Sequence, residues 1–285
     1  MSDRDEHIVE AAGRCRVVIR NGRVVEVGTP QINDCPLARR FACPVEEMTP
    51  DAVRRNIEAR IRSFGMCTPE REVLAGPDFV IFGASELLSS AVRRGDLDAA
   101  VIVSDGAGTL VARSPALIQG IGGRMSGLVK TSPIPAVIAR IEENGGVVLD
   151  PETAAIDQAA GVALAATLGH RRIAVTTAVA AEAAAIRERF PDAVIVAVHT
   201  TGISREDAAL MAGAADLVTA CASKHIREEA AKTALLQAGT SIPVFAMTRA
   251  GKAVILGKVA ETDQQLIVHG ARLPVPGSQS PSPLC

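Results

Sequence analysis

The chain of 285 residues has very few aromatic side chains: 2%, with no Trp, no Tyr and 6 Phe. Stacking platforms for bases are scarce, which argues against single-stranded nucleic acid as a partner. An excess of basic charge is missing too. The formal net charge is -2, whereas a phosphate backbone calls for a basic surface. No run reaches the ~18 apolar residues that a membrane helix needs. The opening, Met1 to His7, is polar and acidic, unlike a secretory signal. Neither nucleic acid nor a membrane is expected, and a reducing cytoplasm is the expected location. The 6 Cys (15, 35, 43, 67, 221 and 285) contain no Cys-x-x-Cys knuckle, so structural zinc is not indicated. With 48% hydrophobic and 22% charged residues, the composition fits a globular protein with a sizeable core.

What is present is strand–helix alternation between Arg172 and Arg249. Short apolar runs at Ile173 to Val175, Ala193 to Val198, Asp216 to Val218 and Pro243 to Ala246 read as strands. Between them lie the helical segments Ala181 to Phe190, Ser204 to Ala212 and Lys224 to Ala238. Helix-length crossovers imply parallel pairing. The expected fold is α/β, a mainly parallel sheet with helices on both faces, over residues 76–270. A small N-terminal β-hairpin and Cys-containing region (1–75) precedes it, and a disordered tail (271–285) follows. Asn21-Gly22 between two β-rich runs marks the hairpin. Thr49-Pro50-Asp51 starts a helix that ends at Gly65, with Pro near its first position and an Arg-rich side that reads as solvated. Lys252 to Val259 and Gln265 to His269 read as antiparallel closing strands.

In open α/β sheets ligands sit beyond the carboxyl ends of strands. There the runs hand over to Thr176-Thr177, His199-Thr200-Thr201-Gly202 and Cys221-Ala222-Ser223. His199 and Cys221 leave successive strands, and a His beside a Cys favours a nucleophilic thiolate. Lys224 follows at a helix start. The competing reading of Cys221 is a small buried core residue. Asp105 opens Asp105-Gly106-Ala107-Gly108-Thr109 directly after the strand Leu97 to Val103; it is either a base or metal ligand, or a carboxylate capping a turn. Gly120 to Gly127 includes Gly122, Gly123 and Arg124. Met125 stands where a dinucleotide fingerprint needs its third Gly, so the block is either an anion loop or a structural turn.

Cys35-Pro36 and Cys43-Pro44 lie in an irregular Pro-containing segment, and Cys67 lies in another. Thiolates from distant segments can hold an iron–sulfur cluster. Cys35, Cys67 and Cys221, with Cys43 as competitor, are the candidate ligands; reduced, unligated thiols are the alternative.

Five blocks resemble one family. They are Phe64-Gly65-Met66-Cys67-Thr68, Asp105 to Thr109, Gln119-Gly120-Ile121-Gly122-Gly123-Arg124, His199 to Gly202, and Thr219-Ala220-Cys221-Ala222-Ser223-Lys224. With Cys35-Pro36-Leu37, they resemble the methanogenesis marker protein 8 family from about Glu10 to His269. The resemblance implies an anaerobic archaeal cytoplasm and a link to methanogenesis; it supplies no catalytic residues. Two classes of function remain open. One is an enzyme acting on a small anionic metabolite or cofactor precursor. The other is a non-catalytic accessory protein serving a methanogenesis enzyme or cofactor.

Overall fold

A computed structural model describes residues 5–75, 78–125 and 127–285. Gly76, where the second domain was expected to start, and Ser126 of the Gly-rich block lie outside them. The strands are β1 (Glu6–Ala11), β2 (Cys15–Arg20), β3 (Arg23–Val27), β4 (Ala99–Ser104), β5 (Gly108–Ala112), β6 (Gly127–Lys130), β7 (Gly146–Val148), β8 (Ile173–Thr177), β9 (Val194–Ala197), β10 (Leu217–Thr219), β11 (Leu236–Ala238) and β12 (Val244–Ala246). The helices are α1 (Pro50–Phe64), α2 (Ala84–Arg93), α3 (Pro115–Gly122), α4 (Pro135–Glu143), α5 (Gln158–Thr167), α6 (Ala180–Arg189), α7 (Arg205–Ala214), α8 (Lys224–Ala230) and α9 (Arg249–Glu261).

The larger sheet has eight strands in the order β11-β12-β10-β9-β8-β4-β5-β7. Its centre, β10-β9-β8-β4, is parallel, as the helical crossovers predict. Side chains alternate along these strands and divide the core in two. Ala100, Ile102, Ala174, Val196 and Leu217 pack with α2, α3, α4 and α9. Val101, Ile173, Val175, Ile195 and Val218 pack with α5, α6, α7 and α8. Helices therefore cover both faces.

The flanks correct the expectation of a mainly parallel sheet. β5 and β7 on one side, and β12 and β11 on the other, join antiparallel. The cause is turn chemistry. Gly106 takes φ +80° and folds β4 back into β5, so the expected ligand loop is a hairpin turn. Likewise, α8 stops at Ala230, and the rest of the segment expected to continue as helix includes β11, which pairs with β12. Lys252 to Val259 is helix α9, not a strand. Its buried residues, Gly251, Val254, Ile255 and Lys258, follow helical spacing. Gln265 to His269 forms no strand.

The four-stranded sheet β3-β2-β1-β6 is wholly antiparallel. The Asn21-Gly22 hairpin is present, with both residues left-handed. Helix α1 packs on this sheet through Val53 and Ile57. It starts where Thr49 caps the amide of Ala52 and ends at Gly65, φ +73°, a left-handed position suited to glycine. Within residues 271–285, expected as a tail, two positions make backbone–backbone contacts with the body of the protein. Ser282 pairs with Asn33 and Asp34, and Cys285 bonds Ala222 and Lys224 through its backbone.

Candidate functional site at the carboxyl edge of the large sheet

The carboxyl ends of β4, β8, β9 and β10 form one edge, and the N-terminal sheet with α1 lies across it. Five hydrogen bonds and one packing contact fix this arrangement. Asp105, following β4, accepts hydrogen bonds from Arg71 Nε at 3.0 Å and from the Cys67 amide at 2.6 Å. The Gly106 amide donates to Thr131 Oγ1 at 2.7 Å, and that hydroxyl meets His7 Nδ1, also at 2.7 Å. Arg14 donates to the Thr201 carbonyl, following β9. A Cβ placed on Gly127 would lie 3.5 Å from His199 Cγ, so the imidazole rests against β6.

This layer holds a buried charge cluster. Arg71 and Asp105 are a fully buried ion pair. Among the described residues Arg71 Nη2 has no hydrogen-bond partner, although it is shut off from solvent. The Phe64 ring lies under the guanidinium of Arg71 at 4.9 Å and under that of Arg124 at 5.1 Å, where its negative face attracts both cations. The pKa of Arg60, partly buried on α1, is held down to about 10. Lost hydration is the first cause and Arg71 the second, with Asp105 opposing. Burial pushes the Cys67 thiol well above its ordinary value, and Asp105 adds to the effect.

His199 has a left-handed backbone, φ +54°. Burial lowers its pKa and Glu10 opposes; Arg14 and Arg60 act with burial. A histidine whose cation is disfavoured by folding takes up its proton more readily in the unfolded chain. Stability is therefore expected to fall as pH drops below about 6.5, and to level off once the folded form also titrates. Urea midpoints between about pH 8 and about pH 5 check this; His199→Gln should flatten the profile.

The remaining candidates divide into separate groups. Thr200 donates to the Thr219 carbonyl at 2.7 Å, and Thr201 Oγ1 accepts from the Ala222 amide at 3.2 Å, so the loops after β9 and β10 are locked together. Cys221, φ +43°, has Thr219 Oγ1 3.8 Å from its sulfur. No hydrogen bond joins His199 to Cys221 among the described residues: the imidazole faces Glu10 and β6, and Cys221 lies by the loop of Cys35. Ser223 caps α8 through the Ile226 amide, and Lys224 is exposed. Thr109 Oγ1 donates to Gln158 Oε1 and accepts from the Asp157 amide; the Gln158 side chain in turn donates to the Thr176 carbonyl. This network ties β5 and β8 to α5. Gly108 takes φ +68° where a Cβ would lie 2.2 Å from the Ala154 carbonyl oxygen, so close backbone packing accounts for it.

The Gly-rich block is not an anion loop in shape. Gly120 and Gly122 belong to α3 and Gly123 follows it; Gly120 packs against the 73–75 backbone, and Arg124 pairs with Glu72 at 3.0 Å.

The four candidate metal ligands do not gather into one group of three or more among the described residues. Cys67 is buried in the core of the N-terminal sheet, and the Cys43 carbonyl accepts from Asn56. Among the described residues no group of three His, Cys, Asp or Glu is placed to hold a metal ion. A cavity of about 510 Å³ opens beside Cys67, Asp5, Thr68 and Ile134, and neither His199 nor Cys221 lines it.

Sequence reading missed Glu10, Arg14, Arg60 and Arg71. Arg60 sits on a helix whose Arg-rich side reads as solvated, and Arg14 and Arg71 lie in turns and loops where local spacing shows no direction.

The fold and this edge define an α/β protein whose central strand ends are covered by its own N-terminal sheet. The chain belongs to the family described as an uncharacterised protein conserved in archaea (DUF2099), matched over residues 7–260. An uncharacterised protein of Methanocaldococcus jannaschii is 43% identical over 283 residues, covering 98% of this chain and 99% of the relative. No solved structure matches the chain. Among the described residues no helix is long and apolar enough to cross a membrane.

Proposed function

We propose that the protein binds a small anion, the carboxylate, phosphate or sulfonate group of a metabolite or cofactor precursor, at the roofed edge beside Arg14, Arg60, Arg71 and His199. One observation carries the reading: Arg71 is wholly buried, and Nη2, one of its two terminal nitrogens, is left without an acceptor among the described residues. An unsatisfied buried donor on a charged group costs about 1–3 kcal/mol or more, and an anionic oxygen removes that cost. Asp105 offsets one cation of the cluster and Glu10 another, through its 3.2 Å pair with Arg14. Guanidinium groups match planar and tetrahedral oxyanions better than ammonium groups do. Glu10 and Asp105 set the limits of the site by repelling anions that overreach it. The cytoplasmic location and the place in methanogenesis implied by the resemblance to marker protein 8 belong to the same reading.

Isothermal titration calorimetry with inorganic phosphate, sulfate and succinate tests the reading. Saturable one-to-one heat is expected for at least one probe, with about tenfold or greater weakening in Arg60→Gln, the loss of one charged hydrogen bond. No saturable heat with any probe, or equal affinity in the variant, would remove the proposal.

A further inference from the structure

Three segments distant in sequence bring three cysteines to the end of β10. The amides of Asn33 and Asp34 donate to the Ser282 carbonyl at 2.7 and 3.0 Å, and the Ser282 amide returns a bond to Asp34. Three residues on, the Cys285 amide donates to the Ala222 carbonyl at 3.0 Å, and its own carbonyl accepts from the Lys224 amide at 2.9 Å. The 282–285 segment thus bridges the loop of Cys35 to the loop of Cys221. Cys35 and Cys285 pack partly buried on one apolar cluster with Ala38, Met48 and Ala222. All three cysteines are free thiols.

A buried cation completes the arrangement. Arg227 is 9% exposed, and its guanidinium donates to the carbonyls of Ala220 (3.3 Å), Ser223 (3.0 Å) and Ser241 (3.2 Å). Among the described residues it forms no ion pair with a carboxylate. Two of its three acceptors flank Cys221, so the guanidinium is clamped beneath that residue's loop. Hydrogen bonds to carbonyls hold the group in place but leave its charge unbalanced by a carboxylate, and the cation is held next to the Cys221 loop.

We infer that Cys221 and Cys35 are a redox-active thiol pair, which reduces the disulfide bond of a small molecule and closes to a disulfide itself. Cys221 thiolate attacks one sulfur of R–S–S–R. That S–S bond breaks, a Cys221–S–S–R bond forms, and R–S⁻ leaves with the proton that Cys221 gave up. Cys35 thiolate then attacks the Cys221 sulfur, forming Cys35–S–S–Cys221 and releasing the second RSH with the proton from Cys35. The protein loses two electrons and the small disulfide gains them. The order of attack follows from the surroundings. Arg227 lies by Cys221, whereas the Cys35 thiol is pushed up by burial, an effect that the amides of Ala38 and Leu37 only partly offset. A disulfide needs its Cα atoms within about 7 Å. Cys35 lies in an irregular stretch just before the short turn at Ala38–Arg40, and closure requires that stretch to bring its Cα within this reach of Cys221. The reaction is independent of the anion site.

The test uses the full chain, reduced and desalted under anaerobic conditions, then treated with 2-hydroxyethyl disulfide. Remaining thiols are alkylated and the cross-links mapped by peptide mass spectrometry. The expected result is a Cys35–Cys221 cross-link, with Cys285→Ser closing equally well. Cys35→Ser should halt at a hydroxyethyl adduct on Cys221. Cys221→Ser should abolish the reaction at Cys35. Arg227→Lys should retain closure, whereas Arg227→Gln, if it folds, should slow adduct formation about tenfold near neutral pH and move its pH profile upward. A cross-link through Cys285 or Cys67, an adduct that forms first on Cys35, or thiols that remain fully alkylable would overturn the inference.

Discussion

Asp105→Ala is expected to destabilise the protein by about 3–5 kcal/mol, the usual result of stripping one partner from a buried ion pair. Asp105 and Arg71 are both shut off from water, so the variant leaves a guanidinium with no counter-charge. It also orphans the Cys67 amide, which Asp105 accepts at 2.6 Å. Urea unfolding at neutral pH measures the loss as a lower midpoint with unchanged slope. The double variant Asp105→Ala/Arg71→Met separates the two contributions. Removing both charges restores the part due to the lone cation and leaves about 1–3 kcal/mol for the orphaned amide. A double variant no better than the single would show that the charge of Arg71 is balanced by some other group.

The second large effect is expected at Gly120. A Cβ there would lie 2.1 Å from the Val73 carbonyl oxygen, 2.5 Å from Leu74 C and 2.6 Å from Ala75 N. All three are backbone atoms and cannot swing aside as a side chain can. Gly120→Ala gains helix propensity of about 1 kcal/mol, but overpacking of about 3 kcal/mol or more outweighs it. Thermal unfolding reads the net loss. A Gly120→Ala protein as stable as the parent would show that the 73–75 backbone gives way to the added methyl group.

The central sheet was legible because its signal is local. Ile173 to Val175 and Ala193 to Val198 are each bounded by helical segments, and parallel pairing follows from crossover length. Thr49-Pro50 and Gly65 gave the limits of α1 for the same reason. Errors arose where two local signals competed. Asp105-Gly106 carries both a strand-end ligand signature and a hairpin turn signature, and the turn prevailed. Val254 and Ile255 lent α9 a β-like look, although its buried positions keep helical spacing. The candidate site was legible as an edge but not as a set of contacts. Thr200, Thr201 and Cys221 do lie at strand ends. The Arg71–Asp105 pair spans 34 residues and obeys no periodicity. The link between the loops of Cys35 and Cys221 runs through the last residues of the sequence, whose Pro- and Ser-rich composition read as disorder.

The ladder between β1 and β6 has a bearing on how the chain is made. Glu10 pairs with Gly127 and Ile8 with Lys130, so β1 leaves the ribosome long before its distant partner and waits while the intervening chain is synthesised. During that wait β1 presents one unpaired edge, the kind of surface that recruits strands from other chains. Glu6 sits on that strand, joined to Arg20 at 2.6 Å and, once β6 arrives, to Lys130 at 3.0 Å. A carboxylate on a bare edge discourages wrong pairing by charge, and the lysine that arrives with the right partner neutralises it. The roof therefore closes only after β4 and β5 have emerged beneath it, and a nascent chain stopped before Gly127 would carry the hairpin but no completed site.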